Sequence, residues 1–152
     1  MKIAIIACSN KKRDVTCHAR DMYQGQLFKF SVEYAESWGM PWYIISAKYG
    51  IIHPDKMIDP YNERVPTKAA DITPWSNTRN YEAYCVPPKG MDKTFVLLCG
   101  KDYKQAFRDG INKSACPREF TCEEPLAGLG IGEQMKWLKE NRRGVEASVA
   151  AG

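Results

Sequence analysis

Sixteen consecutive residues, Ser46-Ala47-Lys48-Tyr49-Gly50-Ile51-Ile52-His53-Pro54-Asp55-Lys56-Met57-Ile58-Asp59-Pro60-Tyr61, gather two lysines, two phenols, two carboxylates and an imidazole. Lys48 directly follows an apolar run, which predicts its ammonium at the end of a strand. There it could neutralise a phosphate or, if desolvated, act as a nucleophile. Asp55 and Asp59 are the carboxylates that could activate water or stabilise a sugar with oxocarbenium character during N-glycoside cleavage. His53 is a further catalytic candidate, and His18 is the other histidine. Ser46, Tyr49, Gly50 and Tyr61 complete the predicted binding loop. Pro54 and Pro60 restrict the backbone, so these groups are presented at low conformational cost. Gly50 permits a positive φ or the close approach of a ligand. The two tyrosines either stack a flat ring or pack as part of a proline-rich cover over a sheet.

Other segments carry compatible chemistry. Cys8 and Ser9 end the first apolar run, and Lys11, Lys12 and Arg13 follow after Asn10. This basic turn reads either as a phosphate contact or as a solvated surface. Arg20 could hold a phosphate or carboxylate with its two-pronged guanidinium, or pair with Asp14 or Asp21. Tyr23 lies beside it. Gly100 and Tyr103 leave a third apolar run. Gly128-Leu129-Gly130-Ile131-Gly132 precedes a helix and could cradle a phosphate or make a tight turn. Its spacing is not that of a dinucleotide-binding loop.

The elements that must position these groups follow from apolar patterning. Lys2–Cys8, Pro41–Ser46, Thr94–Cys99 and Phe120–Glu123 read as strands. Leu27, Tyr34, Ala35 and Trp38 fall at helical spacing between Met22 and Trp38, with Gly39 and Pro41 as stops. Tyr103, Ala106 and Phe107 mark a second helix. Ile131, Met135 and Leu138 mark a last one, ending near Gly144. Ile51–Gly90 carries many prolines and reads as an extended loop followed by a helix around Trp75–Tyr84. The alternation predicts an α/β domain over residues 1–144, with residues 145–152 as a frayed tail. The expected architecture is a three-layer sandwich around a mostly parallel four-stranded sheet. Such sheets bind ligands at the C-terminal edge of their strands.

The chain of 152 residues carries 22 Lys and Arg against 18 Asp and Glu, a net +4. That surplus permits phosphate contact without marking a nucleic-acid coat protein. The composition excludes a disordered, collagen-like or coiled-coil chain. No apolar run reaches the roughly 20 residues that span a bilayer. The first apolar run is too short for a signal peptide, so a cytoplasmic location without membrane partners is expected. Six cysteines, Cys8, Cys17, Cys85, Cys99, Cys116 and Cys122, then read as free thiols. They lack Cys-x2-Cys spacing, so neither a metal nor another cofactor is expected.

The string Ser-Ala-Lys-Tyr-Gly-Ile-Ile-x-Pro-x-x-x-Ile-x-Pro-Tyr resembles an uncharacterised family of small bacterial and phage domains. Their hallmark is a strand ending in Ser-Ala-Lys-Tyr-Gly-Leu. Further matching pieces are Cys8-Ser9-x-Lys11-Lys12, Ala19-Arg20-Asp21-Met22-Tyr23-x-Gly25, and Pro125-Leu126 through Gly128, Gly130-Ile131-Gly132, Gln134-Met135 and Trp137-Leu138. They run in the same order from Ile3 to Leu138. The central segment is also similar to the DNA-binding YaaA peroxide-stress proteins and, more distantly, to the auxiliary domain of archaeosine synthases. Asp59-Pro60-Tyr61 is similar to the Asp-Pro-Tyr of the uracil-glycosylase water-activating motif, here after the second strand rather than the first. These resemblances imply a uracil-DNA-glycosylase-like fold and a nucleic-acid or nucleotide partner. Three functions stay open: an enzyme acting on a nucleobase or its N-glycosidic bond, a non-catalytic DNA-binding module, and a binder of small nucleotide ligands.

Overall fold

A computed structural model describes residues 2–62, 93–113 and 120–144. The helix expected around Trp75–Tyr84 and the tail at 145–152 lie outside the described residues. The first apolar run forms β1 (Lys2–Ala7). A two-residue strand β2 (Cys17–His18) and a short helix α1 (Ala19–Met22) follow. The main helix of the N-terminal half is α2 (Gln26–Ser37). Next come β3 (Trp42–Ser46), β4 (Gly50–Ile52) and β5 (Met57–Ile58). The second half holds β6 (Lys93–Leu98), α3 (Lys101–Lys113), β7 (Phe120–Glu123) and α4 (Ile131–Glu140).

Five strands form one mixed sheet in the order β4-β3-β1-β6-β7. β3, β1, β6 and β7 are parallel, which matches the four predicted strands. The expected four-stranded sheet is corrected by β4, which pairs antiparallel with β3 through Ile44↔Ile52, Ile45↔Ile51 and Ser46↔Gly50. Part of the predicted loop is therefore the return arm of a hairpin. Its connection is only Ala47, Lys48 and Tyr49, and it closes on Gly50 at φ 75. A short connection ending on a left-handed residue is a common hairpin solution, and glycine adopts that conformation without a Cβ clash. β2 and β5 form a separate antiparallel pair.

Because strand side chains alternate, the sheet has two apolar faces. Ala4, Ile6, Ile44, Ile52, Val96 and Leu98 face one core, together with Met22 of α1, Phe28 and Ala35 of α2, and Leu138 of α4. Ile3, Ile5, Ile45, Ile51, Phe95 and Leu97 face the other, with Ala106 and Phe107 of α3. Helices thus cover both faces, as a sheet of buried parallel strands requires. Helix α2 ends in a left-handed Gly39 (φ 67), with Gly39 N–H on the Glu36 carbonyl and Met40 N–H on the Ala35 carbonyl. This double closure satisfies the last carbonyls and turns the chain into β3. It ends the helix one residue before the predicted Trp38. Cys99, at the end of the third predicted strand, is buried, and burial pushes its thiol up to about 12. No helix among the described residues is long and apolar enough to cross a membrane.

Phe107 is fully buried and meets Phe95 with ring centroids 5.1 Å apart. Phe107→Ala should therefore lower unfolding stability by about 3–5 kcal/mol, read from the denaturant midpoint. A loss below about 1 kcal/mol would show that α3 does not hold this face of the sheet closed.

Candidate functional site

The site grows from one hydroxyl at the end of β3. Ser46 is fully buried. Its Oγ accepts the backbone N–H of Tyr49 at 3.1 Å and that of Lys48 at 3.3 Å. It also lies 2.7 Å from the Tyr61 hydroxyl, which lies 2.7 Å from that of Tyr23. With two donors already on the serine oxygen, its own proton is directed to Tyr61. The sequence thus closes the hairpin turn and anchors two distant tyrosines through a single side chain.

Tyr23 and Tyr61 are almost wholly buried. Burial raises both phenols above the ordinary tyrosine value, and the nearby Cys8 sulfur raises them further. Cys8 Sγ lies 3.1 Å from the Tyr103 hydroxyl. Tyr103, in the first turn of α3, is thereby joined to the end of β1. Ser9 Oγ donates to the Lys11 carbonyl and accepts the Gly25 N–H. A Cβ on Gly25 would stand 2.9 Å from the Ser9 Cβ, so this crossing requires glycine. Gln24 N–H bonds the Lys11 carbonyl, Arg13 N–H bonds the Met22 carbonyl, and Lys12 bridges Tyr23. The segment after β1 is therefore laid against the segment after α1.

Cations collect on the outer side of these tyrosines. The Lys12 ammonium stands 4.4 Å from the Tyr61 ring centroid. Those of Lys48 and Lys56 stand 5.3 Å and 5.6 Å from the Tyr49 centroid. The two rings meet edge to face at 5.6 Å. The Tyr49 hydroxyl lies between the backbone N–H and carbonyl of Asp59, at 3.4 Å and 3.5 Å. Lys48 and Lys56 are exposed, and neither makes an ion pair among the described residues.

The structure brings together Cys8, Ser9, Lys12, Tyr23, Ser46, Tyr49, Gly50, Tyr61 and Tyr103. Other expected members fall elsewhere. Lys48 sits at the hairpin tip and is exposed, so the desolvation that a nucleophilic role would require is not found there. Asp59 is exposed, and its carboxylate accepts the Thr16 hydroxyl. Asp55 pairs with Arg20 at 3.0 Å, beside Trp42 at the opposite end of β3. Arg20 therefore pairs with neither Asp14 nor Asp21. Lys11 and Gly100 are exposed, and Gly100 acts through its carbonyl, which accepts the Lys104 N–H. His53 is exposed, and its Nδ1 accepts the Asp55 N–H. Gly128, at φ 78, makes a turn ahead of α4. The Lys56 ammonium is a site member that the sequence reading did not single out. Its signal was its place in the same loop as Lys48. Among the described residues, no cluster of three metal-ligating side chains occurs.

Removing the Ser46 hydroxyl strips a partner from two backbone N–H groups and a buried phenol. Ser46→Ala should cost about 1–3 kcal/mol of stability; no measurable loss would remove the serine from its anchoring role. The raised phenols also fix the sign of an alkaline effect. Unfolded tyrosines lose protons near pH ~10 while Tyr23 and Tyr61 keep theirs in the native state, so stability is whole below that value and falls as pH rises past it. Denaturant midpoints measured from neutral to alkaline pH should show this fall, and Tyr23→Phe should flatten it. An unchanged slope in that variant would place the Tyr23 hydroxyl in water.

No curated protein and no solved structure matches the chain. A family model does match, over residues 3–140, from the second residue of β1 to the end of α4. It agrees with the expectation of an uncharacterised domain family. The chain belongs to the family of unknown function DUF6884.

Proposed function

We propose that the protein binds a phosphate-bearing ligand, a nucleotide or a nucleic-acid strand, on the cationic face beside Tyr49 and Tyr61. One observation carries the reading: three ammonium groups lie within 6 Å of the centroids of two mutually packed tyrosines. Two of the three, Lys48 and Lys56, have no carboxylate paired with them among the described residues. Holding like charges side by side costs free energy, and an anion that bridges them recovers it. The likeness of the Ser46–Tyr61 stretch to DNA-binding proteins of the YaaA type supports a nucleic-acid setting. The parallel portion of the sheet, β3-β1-β6-β7, is the part that this reading compares with uracil-DNA-glycosylase-like domains.

The geometry favours binding over bond cleavage. Asp55 is engaged by Arg20 away from the cations, and the Asp59 carboxylate holds Thr16. It also favours recognition by charge over base stacking. Tyr61 is 9 % exposed with an ammonium near its ring, and the Tyr49 ring is flanked by two more.

Labelled single-stranded and duplex DNA, together with free nucleotides, should be titrated at several salt concentrations. Affinity should fall as salt rises, because each neutralised phosphate releases counterions. Lys48→Ala and Lys56→Ala should each weaken binding and each reduce the logarithmic salt slope by about one. The melting temperature should stay nearly unchanged, since both side chains are exposed. Binding that ignores salt, or variants that bind as tightly as the original chain, would remove this face as the site.

A further inference from the structure

A second cleft lies at the opposite end of β3, where Pro41 and Trp42 begin the strand. Its volume is about 510 Å³, and Arg20, Glu36, Tyr43, His53 and Asp55 are among its lining residues. Cavities of this size accept small molecules. The charges around it are arranged by chemistry that the chain itself leaves incomplete.

Arg20 is held from one side only. Its Nε donates to Asp55 Oδ1 at 3.0 Å, and its guanidinium lies 5.6 Å from the Trp42 ring centroid. The backbone fixes it further, since Arg20 N–H bonds the Pro54 carbonyl. Both terminal Nη groups remain without a partner among the described residues. Two parallel N–H groups on a planar fork match the two oxygens of a carboxylate. His53 adds a donor of the same kind. Its Nδ1 accepts the Asp55 N–H at 3.0 Å, which assigns the ring proton of the neutral imidazole to Nε2. An edge-to-face contact with Tyr43 at 5.8 Å holds the imidazole.

The opposite sign comes from another element. Glu36, in the last turn of α2, lines the same cleft and makes no ion pair among the described residues. The carboxylate of Asp55 is already committed to Arg20. Glu36 is therefore the acidic group left to receive a cation, while the Arg20 fork and His53 Nε2 are the donors left to receive an anion. Met40, Pro41 and Pro54 supply apolar wall between the two.

We infer that this cleft binds a zwitterion of the amino-acid class, its carboxylate on Arg20 and His53, its ammonium on Glu36 and its side chain along the Met40–Pro41–Pro54 wall. The site is separate from the cationic face, so failure of either assignment leaves the other standing.

The test is a solution NMR titration of the full chain with L-leucine and L-phenylalanine, each also supplied as the N-acetyl acid and as the carboxamide. Saturable shifts at the backbone amides of residues 36–43 and 53–55 are expected with the free amino acids. Capping either charged end should weaken binding roughly tenfold, the scale of one lost charge-assisted hydrogen bond. Glu36→Gln should weaken the free amino acid by a similar factor and leave the N-acetyl acid unaffected. Arg20→Gln should weaken both of these and leave the carboxamide nearly unchanged. Lys48→Ala should change none of it. No saturable shift up to the solubility limit, with the spectrum of a folded protein intact, overturns the inference. Capped and free ligands binding equally well overturns it too.

Discussion

The Ser46 hydroxyl is the contact on which the candidate site depends. A buried serine normally needs one partner, and this one has three: two backbone N–H groups of the turn it begins and the phenol of Tyr61. The first two bonds hold the hairpin tip over the end of β3. The third draws in a residue fifteen positions later, which in turn touches Tyr23, at the end of α1. A hydrogen-bonded chain of this kind leaves little freedom in a dry interior, because an unmet hydroxyl there costs more than a made bond returns. The cations around Tyr49 and Tyr61 are consequently mounted on fixed rings rather than on a loose loop.

The two ends of β3 divide the chemistry between them. The C-terminal end carries an excess of positive charge on aromatic supports. The N-terminal end carries both signs in a cleft of small-molecule size. The proline-bearing segment after β4 serves both, because β4 returns the chain from one end of β3 to the other. Asp55 then reaches Arg20 at the cleft, whereas Lys56 reaches back to Tyr49. Adjacent residues in sequence thus belong to different sites.

That division explains what the sequence disclosed and what it withheld. The four parallel strands were legible as short apolar runs, and α2, α3 and α4, though not the four-residue α1, as apolar residues at a helical spacing. β4 was not, because Gly50-Ile51-Ile52 is three residues long and a proline closely follows it. That Tyr49 and Tyr61 share one candidate loop was legible from residue type, with ring stacking and packing both open. The side-chain network was not: Ser46, Tyr61 and Tyr23 meet through tertiary packing, and no period links them. Lys48 was read as a strand-end ammonium that desolvation could make nucleophilic, because it follows an apolar run. The turn instead seats Ala47 inside and points Lys48 outward, a reversal that a three-residue connection imposes. Asp55 and Asp59 were alternative catalytic carboxylates of one loop, and the backbone between them sends one to each end of the strand.

The antiparallel arm that the turn produces has a further effect on how molecules of this protein meet. An outermost strand offers unpaired amide and carbonyl groups to any neighbouring chain, and long flat ones seed aggregates. In the described sheet that position is held by β4 rather than by the longer, apolar β3. Three residues followed shortly by a proline give a neighbour too few groups to register against. The same hairpin that displays the lysines therefore shields the isoleucine-rich interior of the sheet from pairing between copies.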